Sequence, residues 1–492
     1  MEYQDKEEIA QMLERELLRR GYSRRDFVKL ASALGVSGLL AACGGVKPQT
    51  TAGRSASGSP VATTSSLYSI HDADGLQWPK AALPEPTSNV QLTVAHAWDA
   101  LFMTRQVQFD TVFMKRHPNI TIHTENTPWA SFLQKYLIQA AGGALPDILY
   151  CHFSWAQQLI SQGLPLSLNG YIAKQPDFNL SDFTPPSMGF YARRGTQYGV
   201  AYDCGPGLLF YNKDLFDKAG VKYPTKAWTL DDLKQAAIKL TSGSGRNKIY
   251  GLLDTPSPAD STMAPPYLFP FGAQYVNEPQ ETRSLIDQPQ AVQAMEWWME
   301  LRSKYQAVPS PAENQAMQQQ QTDAFTLGRA AMMLNGSWAT PSLNQNAHFK
   351  WDFTNWPKGP QTWSTLAAGS SYMIAKSSPN KDAAWIYLNE YLSPAGQSFM
   401  WGMTGRGSPA RKSAWNAYFN SKFAPPSVRV ALDALNTHAS NAILYLPATP
   451  KVVNTAGPIW DRVVAGRLAV KDALQQITQQ IDPILAENAN LH

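Results

Sequence analysis

An α/β fold in two domains follows from two features of this sequence. Segments with strand and helix periodicity alternate along it. The folded part, from about Asn89 onward, runs to roughly 400 residues, past the size at which one core keeps growing. VQLTVAHA (90–97) has the composition of a strand, and FMTRQVQFDTVFMKRH (102–117) places apolar residues at 107, 109, 112 and 113, a helical spacing. NITIHTEN (119–126) alternates as a strand, and WASFLQKYLIQAAGG (129–143) is a helix stopped by Gly142 and Gly143. DILYC (147–151) is a short buried strand, followed by the helix SWAQQLISQG. This order predicts a parallel sheet flanked by helices, with right-handed crossovers.

The second half continues the pattern. GLLFYN (207–212) is an apolar strand, and the helix KDLFDKAG after it closes on Gly220. Thr229 stands where it can cap LDDLKQAAIKL, with Asp231 and Asp232 favourable to the helix dipole in the first turn. Met295, Trp298 and Met299 mark a core stripe on AVQAMEWWMELRSKYQ. AFTLGRAAMML, the strand SSYMIAK and the helix KDAAWIYLNEYL, with Pro379 suited to its opening, complete the pattern. Residues 43–87 differ: Gly, Ser, Thr, Ala and Pro bury too little apolar surface to offset their ordering entropy. They read as a flexible linker. His71, Asp72 and Asp74 within it read as solvated side chains rather than metal ligands.

The N-terminal stretch SRRDFVK (23–29) precedes an uncharged run, Leu30 to Ala42, of the length of a signal h-region. It ends in Leu40-Ala41-Ala42-Cys43. These residues resemble a twin-arginine export signal joined to the lipobox of bacterial lipoproteins. The resemblance implies that residues 1–42 are a signal peptide and that Cys43 carries a lipid, holding the body outside the cytoplasm on a membrane. Residues 1–42 hold seven basic and seven acidic side chains, so the remainder keeps the net charge of +4. With no run of Lys or Arg, the chain is expected to bind neither nucleic acid nor a membrane through a polybasic patch. Besides Cys43 there are Cys151 and Cys204, too few for a disulfide framework, though an exported protein can pair them.

Four motifs in order carry a wider resemblance: GGALPDILY, YGVAYDCGPGLLFYNKDLFDKAGV, DAFTLGRAAMMLNGSWA, and AAGSSYMIAKSSPNKDAAWIYLNEYLS. From about Val90 to Ile481 the chain resembles extracellular solute-binding proteins of ABC importers, in their sugar-binding, maltose-binding-protein-like branch. The resemblance implies a two-lobe periplasmic-binding-protein type II architecture with a hinge and an interlobe ligand cleft. Lobe 1 would take 88–201 and 369–402; lobe 2 would take 206–365 and 403–492. Gly205 and Gly207, just before an apolar strand, suit a hinge that must absorb φ/ψ change.

A carbohydrate site wants aromatic plates for C–H faces and polar groups for hydroxyls. Ligands of α/β sheets sit outside the carboxyl ends of strands. Residues in such places are Trp98 and Asp99 after the first strand, Trp129 after the second, and His152 and Trp155 after the third. The resemblance adds Asp203 and, at the return crossover, Gly369, Ser370 and Ser371. It also adds Tyr267, Trp338 and Trp460 as aromatic contacts. Where maltose binders carry a Trp and two charged residues after the third strand, this chain has Cys151-His152-Phe153-Ser154-Trp155, which argues against maltose itself. Arg406 reads as structural.

Enzyme motifs are missing. There is no H-E-x-x-H, no G-x-x-x-x-G-K-[ST], no G-x-S-x-G and no zinc spacing. No cofactor or metal is expected. The reading is a monomeric, non-enzymatic binder of a small solute, a mono- or oligosaccharide, serving an importer permease. The alternatives are the same fold holding a polyamine, glycerophosphodiester or peptide, and a surface glycan hydrolase with two cleft carboxylates.

Overall fold

Two mixed sheets organise the structure, a computed structural model that describes residues 68–278, 280–318, 323–437 and 446–489. The expected signal peptide (1–42), Cys43 and the first part of the linker (43–67) lie outside the described residues. The first sheet contains β1 (Val90–His96), β2 (Ile120–Asn126), β3 (Ile148–His152), β4 (Val200–Ala201) and β10 (Ser370–Ile374). Its order is β2-β1-β3-β10-β4. β1 pairs in parallel with β2 and β3, joined through helices α1 (Ala100–Arg116) and α2 (Trp129–Ala141). The expectation of a parallel sheet holds for these three strands. β10 is antiparallel to β3 and β4, because it arrives from the second sheet and runs the opposite way.

The second sheet has the order β8-β5-β7-β6, where β5 is Gly205–Asn212, β6 Tyr250–Leu253, β7 Ala330–Gly336 and β8 Trp351–Asn355. β6 and β7 are parallel; β5 is antiparallel to β7 and β8. β9 (Ala367–Ala368) pairs with the start of β5, Ala367 opposite Pro206, and runs straight on into β10. The segments 200–206 and 367–372 thus form a ribbon that leaves one sheet and enters the other. β5 is buried on both faces. Leu208 and Phe210 join one apolar core, and Leu209 and Tyr211 join the other, as a period of two requires.

Local chemistry fixes the helices. Asp99 caps α1 by accepting from the Phe102 N–H at 2.8 Å. Thr229 and Asp232 form a reciprocal capping box on α4 (Leu230–Leu240). Gly220, left-handed at φ 60°, ends the helix Lys213–Ala219. The second lobe is backed by α5 (Pro289–Ser303), α7 (Thr449–Val464) and α8 (Val470–Ala489), and the first by α3 (Phe153–Ser161) and α6 (Lys381–Tyr391). Asn380 is the N-cap of α6, so Pro379 lies one residue before the cap rather than inside the first turn.

Three placements differ from the sequence reading. Residues 68–87 are packed rather than linker-like. Tyr68 is 4% exposed, and the Arg105 guanidinium lies between the rings of Tyr68 and Phe399 while pairing with Asp72 at 2.5 Å. Trp78 packs on Phe109 and beneath Arg116, and Gln175 bonds to the backbone at Lys80 and Ala82. A few large side chains suffice to dock a segment whose average composition is polar.

Second, residues 403–420 pack on the first lobe. Buried Arg411 donates to the carbonyls of Leu392 and Phe178, and Trp415–Phe419 lies against the turn 398–402. The chain passes to second-lobe partners at 421–427, where Asn344 donates to the Phe423 carbonyl and Ser427 bonds to Asp352. Third, Gly205 and Gly207 lack positive φ; they are glycine because a Cβ at 205 would meet Ser337 Oγ at 2.5 Å and one at 207 Thr365 Oγ1 at 2.9 Å. Cys151 and Cys204 are both buried free thiols.

A Cβ at Gly251 of β6 would overlap the backbone of Ala237 in α4. Gly251→Ala is expected to cost about 1–3 kcal/mol by overpacking, read as a lowered denaturation midpoint at unchanged m-value.

Candidate functional site

By strand register, one end of each sheet gathers the groups that chemistry would use. At the first sheet these ends are His96 of β1, Asn126 of β2, His152 of β3, Ala201 of β4 and the start of β10 at Ser370. At the second sheet they are Leu253, Gly336 and Asn355, beside the start of β5 at Gly205. The ribbon joins these two ends, so they face one another across the hinge. On that side the lobes also meet, through Ser337 Oγ and Ser408 Oγ at 3.2 Å and through α7 against α3.

Trp129 is 49% exposed and Trp338 is 37% exposed, the two large rings at these edges with free faces. Trp129 stands edge-on to His152 at 5.4 Å and tilted on Trp155 at 5.2 Å. Trp338 lies beside Gly205 and over Gly336, where any side chain would displace it. His152 caps α3 through Nδ1, and burial pushes its pKa down to about 3, so the ring is neutral. The Asp203 carboxylate accepts from the Ser370 N–H at 2.7 Å, and the Ser370 hydroxyl bonds to Tyr150 at 3.1 Å. Gly369 lets the return strand pass directly against the Asp203 carbonyl. Trp129, His152, Trp155, Asp203, Gly369 and Ser370 therefore share one edge.

Other expected residues sit elsewhere. Trp98 is packed inward against Phe102, Tyr150 and Trp401, with Nε1 on Gln106. Asp99 spends its carboxylate on the α1 cap and on Arg406 Nη1 at 2.6 Å. Burial opposes its ionised form, but Arg406 and the Phe102 N–H outweigh that and hold its pKa low. Ser371 is fully buried and donates back to Val200 and Tyr372 carbonyls. Tyr267 and Trp460 are buried in the second lobe, Tyr267 donating to Asp254 at 2.7 Å and Trp460 Nε1 to the Pro256 carbonyl at 2.9 Å.

Sequence reasoning missed Asp254. It follows β6 directly, the same strand-end rule that picked Trp98. One carboxylate oxygen takes Tyr267; the other has no partner among the described residues, and burial raises the pKa to about 7. Trp356, after β8, holds its ring against Tyr267, and its Nε1 has no partner among the described residues. Arg406 is more central than expected. It stacks on Phe102 and Trp98, pairs with Asp99, and its charge reaches Asp203. Among the described residues no His, Cys, Asp and Glu group has metal-holding geometry, and no helix is long and apolar enough to cross a membrane.

Residues 90–398 match the family described as bacterial extracellular solute-binding protein. Curated relatives include a putative binding protein of Brucella abortus (strain 2308), 25% identical over 56% of this chain. The match spans 66% of that relative, just under two thirds of its length. The maltotriose-binding protein of Pyrococcus abyssi is 25% identical over 57% of this chain and 58% of its own. The lactose-binding protein of Rhizobium radiobacter is 25% identical over 61% and 71%. Among solved structures, the ABC substrate-binding protein of Listeria monocytogenes in complex with cycloalternan superposes with TM-score 0.73 at 24% identity, over 81% of this chain and 99% of that one. The GacH receptor of Streptomyces glaucescens, solved unliganded and with acarbose, gives 0.69 at 21% identity over 81% and 99%. These likenesses show the two-lobe α/β fold.

Burial raises the Asp203 pKa to about 7, against the stabilising Ser370 N–H and the Arg406 charge. A folded pKa above the unfolded value means stability is fully present below about pH 4 and is lost as pH rises through about 7. Asp203→Asn cannot titrate. Its melting temperature relative to the native protein is expected to climb steadily between those limits, and a constant difference across the scan contradicts the assignment.

Proposed function

The chain belongs to the bacterial extracellular solute-binding protein family, and from that premise we propose that it captures a carbohydrate between its lobes for an importer permease. In this reading it stands outside the cytoplasm, as a monomer held by lipid on Cys43 after a twin-arginine signal. Arg24, Arg25 and the Leu40–Cys43 lipobox support that placement. The observation that carries the ligand class is the pairing of ring faces with polar groups at the two facing sheet ends. Trp129 and Trp338 offer flat apolar surface, and Asp203 and Ser370 offer acceptors and donors at the same facing ends. Sugars present that same mixture, C–H faces edged by hydroxyls.

Binding needs no chemical step. A solute touching both sheet ends favours the closed arrangement over the open one by the contacts it makes only when the lobes meet. Calorimetry against mono- and oligosaccharides is expected to show saturable binding, and sustained release of reducing ends would instead indicate a hydrolase. Trp338→Ala is expected to weaken the best ligand by about 1 kcal/mol or more, roughly fivefold in Kd. Unchanged affinity removes that ring from the site.

A further inference from the structure

Residues 68–87 lie ahead of the family match, which begins at residue 90, yet they are built into the first lobe. Their inner end is Tyr68. Its ring meets the ring of Phe423 edge-on at 5.8 Å, and its hydroxyl lies within electrostatic reach of Arg406 and Asp99. Arg105, wholly buried, fixes this end from beneath, donating to the Ser69 carbonyl at 2.9 Å and pairing with Asp72, while Gln108 donates to the Tyr68 carbonyl at 2.9 Å.

Phe423 is where the chain changes lobes. Just before it, Ser421 bonds to the Met403 carbonyl on the first-lobe side, and Gly405, at φ 66°, passes so close that a Cβ would meet the Phe423 side chain at 2.5 Å. Its own carbonyl is held from the second lobe by Asn344 at 2.7 Å. The Tyr68 ring therefore packs, from the first lobe, against the segment where the chain passes between lobes.

We propose that the 68–87 segment is a hinge strap, with Tyr68 the positioning residue that holds the Phe423 connection in its closed arrangement and thereby raises the population competent to bind solute. The proposal rests on the binding reading for its affinity arm alone. Removing the ring removes a contact made in the closed arrangement, so the open population grows and apparent affinity falls by the lost competent fraction.

The test compares the full chain with its Tyr68→Ala and Tyr68→Phe variants by small-angle X-ray scattering without ligand, and by calorimetry with whichever oligosaccharide the native chain binds. Tyr68→Ala is expected to enlarge the unliganded radius of gyration, leave the saturated one unchanged, and weaken binding about fivefold. Tyr68→Phe, which keeps the ring, is expected to match the native chain. Should Tyr68→Ala fail to fold, Phe423→Leu removes the same ring contact from the other side with the same expected outcome. An unliganded radius and an affinity that do not move overturn the proposal. A native chain that binds no sugar instead overturns the carbohydrate reading, and the ligand-free scattering still decides for or against the strap.

Discussion

The close pass of the two connecting segments, Gly369 against the carbonyl of Asp203, is the constraint around which the rest is arranged. Backbone touches backbone there, so the segments enter each sheet as neighbours: Ser371 opposite Ala201 on one side, Ala367 opposite Pro206 on the other. A ribbon shared by both sheets fixes which ends of the sheets face each other. It also explains why the glycines of this region need no unusual φ. What the fold demands of Gly205, Gly207 and Gly369 is the missing side chain, and a Cβ at any of them runs into the opposing lobe or strand. Bending such a ribbon requires small changes at several residues instead of free rotation at one.

Each lobe is stiff for a different reason. In the first, one cluster of polar groups inside the core is paired within itself. Gln106 donates to Asp110 and to the Tyr387 hydroxyl, each at 2.9 Å, Tyr387 donates to Asp110, and Tyr391 donates to Gln106. Burial lifts the Asp110 pKa to about 6 despite three hydrogen bonds that favour its ionised form. A network with every member paired specifies one packing. The same lobe holds the strap by charge: Glu390 joins Arg116 and His117, and His117 reaches Glu85 at 2.6 Å. Burial works against the His117 cation, but the two carboxylates outweigh it and keep its pKa above the ordinary value. The second lobe relies on apolar packing of α5, α7 and α8 over β5, β6 and β7.

What the sequence revealed depended on whether the signal was periodic or positional. The first three strands and their helices were legible because apolar spacing along 90–163 is regular and the turns carry Gly and Pro. The antiparallel return of β10 was not, since strand direction depends on where the chain comes from, and nothing local to SSYMI records it. Aromatic identity alone did not separate ligand plates from core. Trp98, Trp155 and Trp460 are buried, while Trp129 and Trp338 are open, and all five are tryptophan near a strand or helix end. The docking of 68–87 was hidden by averaging: Tyr68, Leu76, Trp78 and Leu83 are few among Gly, Ser and Pro, yet they are residues that pack.

Among the described residues, buried polar atoms without a partner occur in both lobes, Tyr202 Oη and Trp401 Nε1 in the first and Tyr275 Oη in the second, and some stand at the facing edges. At the cleft end of the second sheet, Asp254 Oδ2, Asn355 Oδ1 and Trp356 Nε1 are buried with no protein partner among the described residues. Leaving such a group unpaired costs on the order of 1–3 kcal/mol. On the proposed reading, a solute that reaches these atoms brings hydroxyl donors to the Asp254 carboxylate and the Asn355 amide oxygen and an acceptor to the indole N–H, and relieves that cost. Closure then takes its free energy from the contacts the same solute makes with the first sheet's end only when the lobes are together. The same argument gives discrimination: a solute lacking one of those hydroxyls leaves a buried polar atom bare, and loses more affinity than one carrying a surplus methylene.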